Sequence, residues 1–278
     1  MEITKLHTKL YIWKNSRMCL GLSRLPFRKY TLAWSQLLVS LQGLIRVQLD
    51  DGSEVETQTC LIKAGSVVSE VYVNTRDAVI AIYYFNPISQ EFYILQNQML
   101  HARNGVYYQH PTEDALIERL SSVMTKSLST SEAYSLVQGV IVPPHLRHTI
   151  VKEFDPRIIE TIQKIRESFR DSLSVSDYAK NVYLSESRLN KLFKDQIGIP
   201  ITKYRLQFRL SVGVILLAAG YSVTDAAYSA GFSNTAHFSR CFSDMIGVQP
   251  SITFLKPPFV SAFICEEAAK SMVPASVG

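Results

Sequence analysis

Long apolar runs are missing from this 278-residue chain. The longest, Val212 to Ala219, falls far short of the ~20 residues that a membrane-spanning helix needs. Lys5, Lys9, Lys14 and Arg17 are spread through the first apolar residues, so neither an export signal nor a membrane anchor is expected. Paired cysteines are missing too. Cys19, Cys60, Cys241 and Cys265 form no Cys-x-x-Cys pair, which speaks against a zinc site or disulfide framework and for a reduced, cytoplasmic setting. Histidine is absent from Tyr30 to Phe85, where a metal-binding barrel would set His and Glu ligands on its strands. His101, His110, His145 and His148 are therefore read as ordinary residues, the last two flanking a linker, and no metal or other cofactor is expected. A strong charge of either sign is also lacking. The net charge is +5, which permits an anionic partner without specifying one.

The length is about twice that of a typical domain, so two cores are expected. From Tyr30 to Phe85, short stretches rich in Val, Ile, Leu and Tyr are broken by turn signals such as Asp50-Asp51-Gly52-Ser53 and Ala64-Gly65-Ser66. They predict a small antiparallel β-sandwich or barrel. Trp34, Tyr72, Tyr83, Tyr84 and Phe85 are compatible with a ligand pocket or with plain core. Helices are expected over Thr112 to Met124, with Ala115, Leu116, Leu120 and Val123 at helical intervals, and over Ser131 to Val137.

Pro143-Pro144 and the helix-opening pair Asp155-Pro156 place a boundary between residues 1–150 and 155–256. Beyond it, Ile158, Ile159, Ile162, Ile165 and Phe169 share one helical face, opposite Glu160, Lys164 and Glu167. Residues 257–278 form a tail in which Pro257-Pro258 breaks the pattern and Ala275-Ser276-Val277-Gly278 carries no structural signal. The fold class is α+β: an N-terminal β-sandwich or barrel with helices, then an all-α domain.

An internal repeat carries the most information. Ser174-Val175-Ser176-Asp177-Tyr178-Ala179 returns as Ser222-Val223-Thr224-Asp225-Ala226-Ala227, each reading as a capping box that opens a short helix. Lys191-Leu192-Phe193-Lys194-Asp195-Gln196-Ile197-Gly198 returns as Arg240-Cys241-Phe242-Ser243-Asp244-Met245-Ile246-Gly247. A duplicated unit explains both. In each copy a turn, Asn181-Val182-Tyr183 or Ala230-Gly231, precedes a capping serine, Ser185 or Ser233, and a second helix: two helix-turn-helix units.

Leu189, Leu192 and Phe193, or Phe238 and Phe242, fix one face of each second helix in the core. The free faces carry Ser187, Arg188, Asn190, Lys191 and Lys194 in the first copy, and Thr235, Ala236, His237, Ser239 and Arg240 in the second. Arg or Lys donates to guanine O6 and N7, Asn pairs with adenine, and Ala or Thr methyls suit the thymine methyl, so these faces fit the major groove of double-stranded DNA. Between the copies, Ile201 to Ala218 reads as a helix of about 27 Å. Such a rod holds two recognition helices near the ~34 Å that separates successive major-groove faces. Lys203, Arg205 and Arg209 along it are candidates for phosphate contacts.

Over Asp155 to Phe254 these residues resemble the DNA-binding domain of the AraC-type transcription regulators. The likeness rests on Gly231-Phe232-Ser233-Asn234-Thr235-Ala236-His237-Phe238-Ser239-Arg240-Cys241-Phe242 and on Gly247-Val248-Gln249-Pro250-Ser251. It implies base-facing roles for Ser187, Asn190 and Lys191 on the first recognition helix and for Thr235, Ala236 and Arg240 on the second, with His237 a further candidate. The N-terminal half resembles, more loosely, the cupin-like domains that bind effectors or pair subunits in that family. The resemblance implies a sequence-specific regulator, a small-molecule effector, contact with RNA polymerase and a homodimer. One departure stands out. Where the family often has Gly in the first turn, this chain has Tyr183, which carries a penalty of ~1 kcal/mol or more if its φ is positive. Two other classes remain open: a cupin-like enzyme with a helical appendage, and a protein whose duplicated helices dock onto another protein.

Overall fold

The structure, a computed structural model, describes residues 8–23, 30–32, 34–48, 52–68, 73–75, 77–246, 250 and 260–272. Asp50, Asp51, Tyr72, the runs Gly247-Val248-Gln249 and Pro257-Pro258, Ser251 and Ala275 to Gly278 lie outside them.

Alternation builds the N-terminal layers. Strands β4 (Gln36–Gln42) and β10 (Val79–Tyr84) pair antiparallel near the middle of an eight-stranded sheet. Their period of two sends Leu37, Val39, Ala81 and Tyr83 to one face and Leu38, Ile80 and Ile82 to the other. Helices α1 (Gln90–Gln96), α2 (Glu113–Thr125) and α3 (Thr130–Ile141) cover the first face through Phe92, Leu116, Leu120, Val123, Val137 and Ile141. The second face packs against Ile45, Val47 and Val73. These belong to β5 (Ile45–Gln48) and β9 (Val73–Asn74), which form a three-stranded sheet with β6 (Glu54–Thr57).

Tyr83 and Phe85 stand edge to face at 5.0 Å inside the first core and are fully buried there. His110 is held by Gln98 Oε1 at 2.9 Å and by the Thr112 N–H on Nδ1 at 3.2 Å, and burial lowers its pKa. Among the described residues no helix is long and apolar enough to cross a membrane.

The sheet extends on both sides of the Tyr30–Phe85 stretch. Strands β1 (Thr8–Ile12) and β2 (Arg17–Ser23) join it ahead of Tyr30. A C-terminal strand, which we number last as β13 (Val260–Ile264), pairs parallel to β1, with Phe263 stacked on Tyr11 at 4.7 Å. The remaining members are β7 (Thr59–Ile62), β11 (His101–Arg103) and β12 (Val106–Tyr108), while β3 (Tyr30–Thr31) and β8 (Val67–Val68) make a separate pair.

Helix α4 (Pro156–Glu167) opens on Asp155, whose carboxylate takes the Arg157 backbone N–H at 3.0 Å and its guanidinium at 2.6 Å. The guanidinium bond holds that carboxyl at a pKa of about 2. Ile158, Ile162 and Ile165 are buried, but Ile159 is 42% exposed. An i, i+4, i+7 stripe leaves its i+1 neighbour at the rim. Phe169, expected on the same face, lies past the helix end and packs edge to face on Phe208 in a different core.

That division organises the C-terminal half. Helices α5 (Val175–Asn181) and α6 (Glu186–Ile197) share one core with α4, and α8 (Val223–Ser229) and α9 (Thr235–Ile246) share another. Helix α7 (Ile201–Ala218) gives Ile201 and Tyr204 to the first and Phe208, Leu210, Val212, Leu216 and Leu217 to the second. A short helix α10 (Glu266–Met272) sets Ala268 against Leu10, Ile12 and Ile215, so the C-terminal segment straps the sheet to α7.

Each unit opens on its serine. Ser174 Oγ accepts the Asp177 N–H at 3.2 Å while the Asp177 carboxylate accepts the Ser174 N–H at 2.8 Å. Ser222 Oγ accepts the Asp225 N–H at 3.1 Å and donates to its carboxylate at 2.6 Å. Ser174→Ala is expected to lower unfolding stability by ~1 kcal/mol, read as a lower urea midpoint with unchanged slope.

Candidate nucleic-acid interface

The two units turn in the same way. In the first, the Tyr183 N–H reaches Lys180 O at 3.2 Å and the Leu184 N–H reaches Ala179 O at 2.9 Å; in the second, Gly231 reaches Tyr228 O at 2.9 Å and Phe232 reaches Ala227 O at 3.0 Å. This pair of bonds closes a helix through a residue in the left-handed region. Gly231 has φ +83° and Tyr183 has φ +55°. A Cβ at Gly231 would lie 3.2 Å from Phe169 O, Arg170 Cα and Arg209 Nε, so glycine is favoured there by crowding as well as by φ. Tyr183 instead points outward and is 95% exposed.

After the turn the copies differ by one residue. Ser185 Oγ caps α6 by accepting the Arg188 N–H at 3.3 Å, whereas α9 is capped by Asn234, whose Oδ1 accepts the His237 N–H at 2.8 Å. The expected cap, Ser233, stands one position too early. Both residue types cap helices well, so only the turn's path decides between them. The shift matches Ser187 with Ala236, Arg188 with His237, Asn190 with Ser239 and Lys191 with Arg240.

Leu189 and Phe193, and Phe238 and Phe242, are fully buried and fix the rotation of each recognition helix. Ser187, Asn190, Lys191 and Lys194 then share a face at i, i+3, i+4 and i+7. Ser187, Arg188, Lys191 and Lys194 are exposed and Asn190 is half-buried. On α9, Ala236, His237 and Arg240 are exposed and Thr235 half-buried. Thr235 begins the helix, and the His237 ring rests edge-on against Phe232 at 5.4 Å. No ion pair among the described residues engages Arg188, Lys191, Lys194 or Arg240.

Two of the rod's arginines have another task. Arg205 donates to Leu173 O at 2.5 Å and to Asp171 O, and Arg209 donates to Phe169 O at 2.5 Å and Asp171 O at 3.2 Å. Arg170 in turn donates to Ser229 O at 3.0 Å. These bonds lace the segment after α4 to α7 and α8 and set one unit against the other. Main-chain carbonyl acceptors leave no mark in a sequence, so the phosphate reading of Arg205 and Arg209 gives way to a structural one.

Comparison with known proteins agrees with this architecture. A family model described as a helix-turn-helix domain matches residues 178–255. The Msm operon regulatory protein of Streptococcus mutans is 32% identical over 127 residues, 45% of this chain and 46% of that protein. The Arabinose operon regulatory protein of Escherichia coli is 33% identical over 99 residues, 35% of this chain and 34% of that protein. The matches thus span less than half the length of either relative. Among solved structures, ToxT from Vibrio cholerae superposes with a TM-score of 0.55 at 14% identity, over 87% of this chain and 98% of that one. A second ToxT structure, described as bound to an unsaturated fatty acid, gives 0.53 at 12% identity over 87% and 95%. At that identity the likeness concerns fold, a β-rich domain followed by helix-turn-helix units. Two tandem units, their matched turns and caps, and these relatives make the C-terminal part of this chain similar to the helix-turn-helix domains of operon regulatory proteins.

Proposed function

We propose that this protein is a sequence-specific DNA-binding transcription regulator of the AraC type, with residues 1–150 as its effector or dimerisation domain and residues 155–256 as its DNA-binding domain. The observation that carries the reading is the pair of exposed recognition faces, on α6 and α9, at either end of an 18-residue helix. Ser187, Asn190 and Lys191, and Thr235, Ala236 and Arg240, address bases; Arg188, Lys194 and His237 flank them. Contact with RNA polymerase, pairing of two copies and a cytoplasmic location follow from the same family reading, and no catalytic step is assigned. DNA recovered with the protein from its own genome tests it. Affinity for the recovered sites should exceed that for random DNA and fall roughly a thousandfold between about 50 mM and about 200 mM salt. Equal, weak binding to every sequence would overturn the reading.

An acidic small molecule is the effector class that the domain junction favours. Arg17 of β2 donates to Ser211 of α7 at 2.5 Å and lies under the Trp34 ring at 4.5 Å. Burial lowers its pKa to about 10. Arg166 bonds Asn86 at 3.2 Å, and its Nε, Trp34 Nε1 and the Tyr204 hydroxyl are buried without an acceptor. Among the described residues no carboxylate pairs with either arginine. Half-buried cations without a carboxylate partner lose part of their hydration, and a bound carboxylate would offset that loss. Carboxylic acids of increasing chain length are expected to raise the melting temperature, and Arg17→Met, if it still melts cooperatively, to abolish the rise. Equal shifts in both proteins would contradict this site.

A further inference from the structure

Tyr183 combines two features that nothing in the free protein explains. Its φ of +55° costs a side-chain-bearing residue ~1 kcal/mol or more, and its ring is 95% exposed. Among the described residues the phenol makes no hydrogen bond and no ring contact. The equivalent position in the second unit is Gly231, where a Cβ would crowd Arg170 Cα, Phe169 O and Arg209 Nε at 3.2 Å. At residue 183 glycine would satisfy the same turn without strain, so the free fold has no use for the tyrosine.

The structure assigns this side chain to DNA, an inference that rests on the DNA-binding reading above. We propose that the Tyr183 ring packs against a sugar of the strand bordering the groove that α6 enters, with its hydroxyl donating to a phosphate. Its position supports this. Tyr183 lies two residues ahead of Ser185, the cap of α6, at the end of the helix that also presents Ser187 and Arg188. In helix-turn-helix proteins the N-terminal residues of the recognition helix meet base edges while the preceding helix crosses the backbone, so the turn between them borders the phosphates. Tyrosine suits that border, since its hydroxyl donates to phosphate oxygens and its ring offers an apolar face. Lys180, one turn earlier and with most of its side chain exposed, places a cation beside it. Arg188, Lys191 and Lys194 extend the positive field along α6. The contact fixes how the first unit docks and carries no base preference of its own.

The test compares the full-length wild type with Tyr183→Gly and Tyr183→Phe on the same DNA site, reading affinity and melting temperature together. Tyr183→Gly should melt no lower than the wild type, since it removes the strain. It should bind DNA roughly threefold to tenfold more weakly, in proportion across sites of differing sequence. Tyr183→Phe should lose only part of that affinity. The salt dependence should stay as in the wild type, because a phenol displaces no counterion. Wild-type affinity in Tyr183→Gly would overturn the proposal. If that variant bound DNA normally but failed with RNA polymerase in reconstituted transcription, the ring would belong to a protein contact, and the proposal would again be wrong. Absence of any wild-type DNA binding would be a different failure, that of the DNA-binding reading itself.

Discussion

Arg240→Ala is expected to weaken binding to a matched site by about 1 to 3 kcal/mol, roughly fivefold to 150-fold, and to relax preference at a single base pair. Arg240 stands on the exposed face of α9, while Phe238 and Phe242 lock the opposite face. Its melting temperature should stay at the wild-type value, since among the described residues it takes part in no ion pair. The comparison with Arg209→Ala is informative. Arg209 donates to Phe169 O and Asp171 O, so that variant should lose stability first and affinity in consequence. Titration of both variants on sites mutated one base pair at a time separates the roles. An Arg240→Ala protein with unchanged affinity and unchanged base preference would remove Arg240 from the reading face.

Gly213→Val should cost about 1 to 3 kcal/mol of stability and impair the second unit more than the first. Glycine inside α7 weakens the helix by itself, yet here it lets a ring approach: a Cβ would stand 2.4 Å from Phe238 Cε2. Phe238 is fully buried and flanked by Phe232 at 5.2 Å and Phe242 at 5.9 Å, so the ring has nowhere to retreat. A valine must push α9 away from α7 and displace the recognition face that Phe238 anchors. Urea unfolding gives the stability loss, and a DNA site altered only under the second unit shows which contacts went with it. Full stability together with undisturbed discrimination at that half would contradict this packing.

Local signals were the legible part of this chain. Ser174 and Ser222 announce their helices because a capping bond joins residues three apart, and the helical reading of Ile201 to Ala218 coincides with α7. The exposed faces of α6 and α9 could be read because a repeat at nearly fixed spacing marks the same positions twice. Where the outcome depends on partners distant in sequence, the signal fades. Strand β13 is five residues whose pairing partner, β1, lies some 250 positions earlier, and β1 and β2 hide their apolar positions among Lys, Arg and Gly. Phe169 reads as a continuation of α4's apolar stripe, but the helix ends at Glu167 and the ring enters the other core. The choice of Asn234 over Ser233 as cap, and the carbonyl ladder under Arg205 and Arg209, depend on backbone paths that residue types do not encode.

If one chain reads two successive major-groove segments through α6 and α9, hydroxyl-radical footprinting of the full chain on its selected DNA site should show two protected patches on one face of the duplex, about one helical turn or ~34 Å apart. Arg240→Ala should weaken one patch and Lys191→Ala the other. A single patch of one turn, unaltered by either substitution, would contradict it.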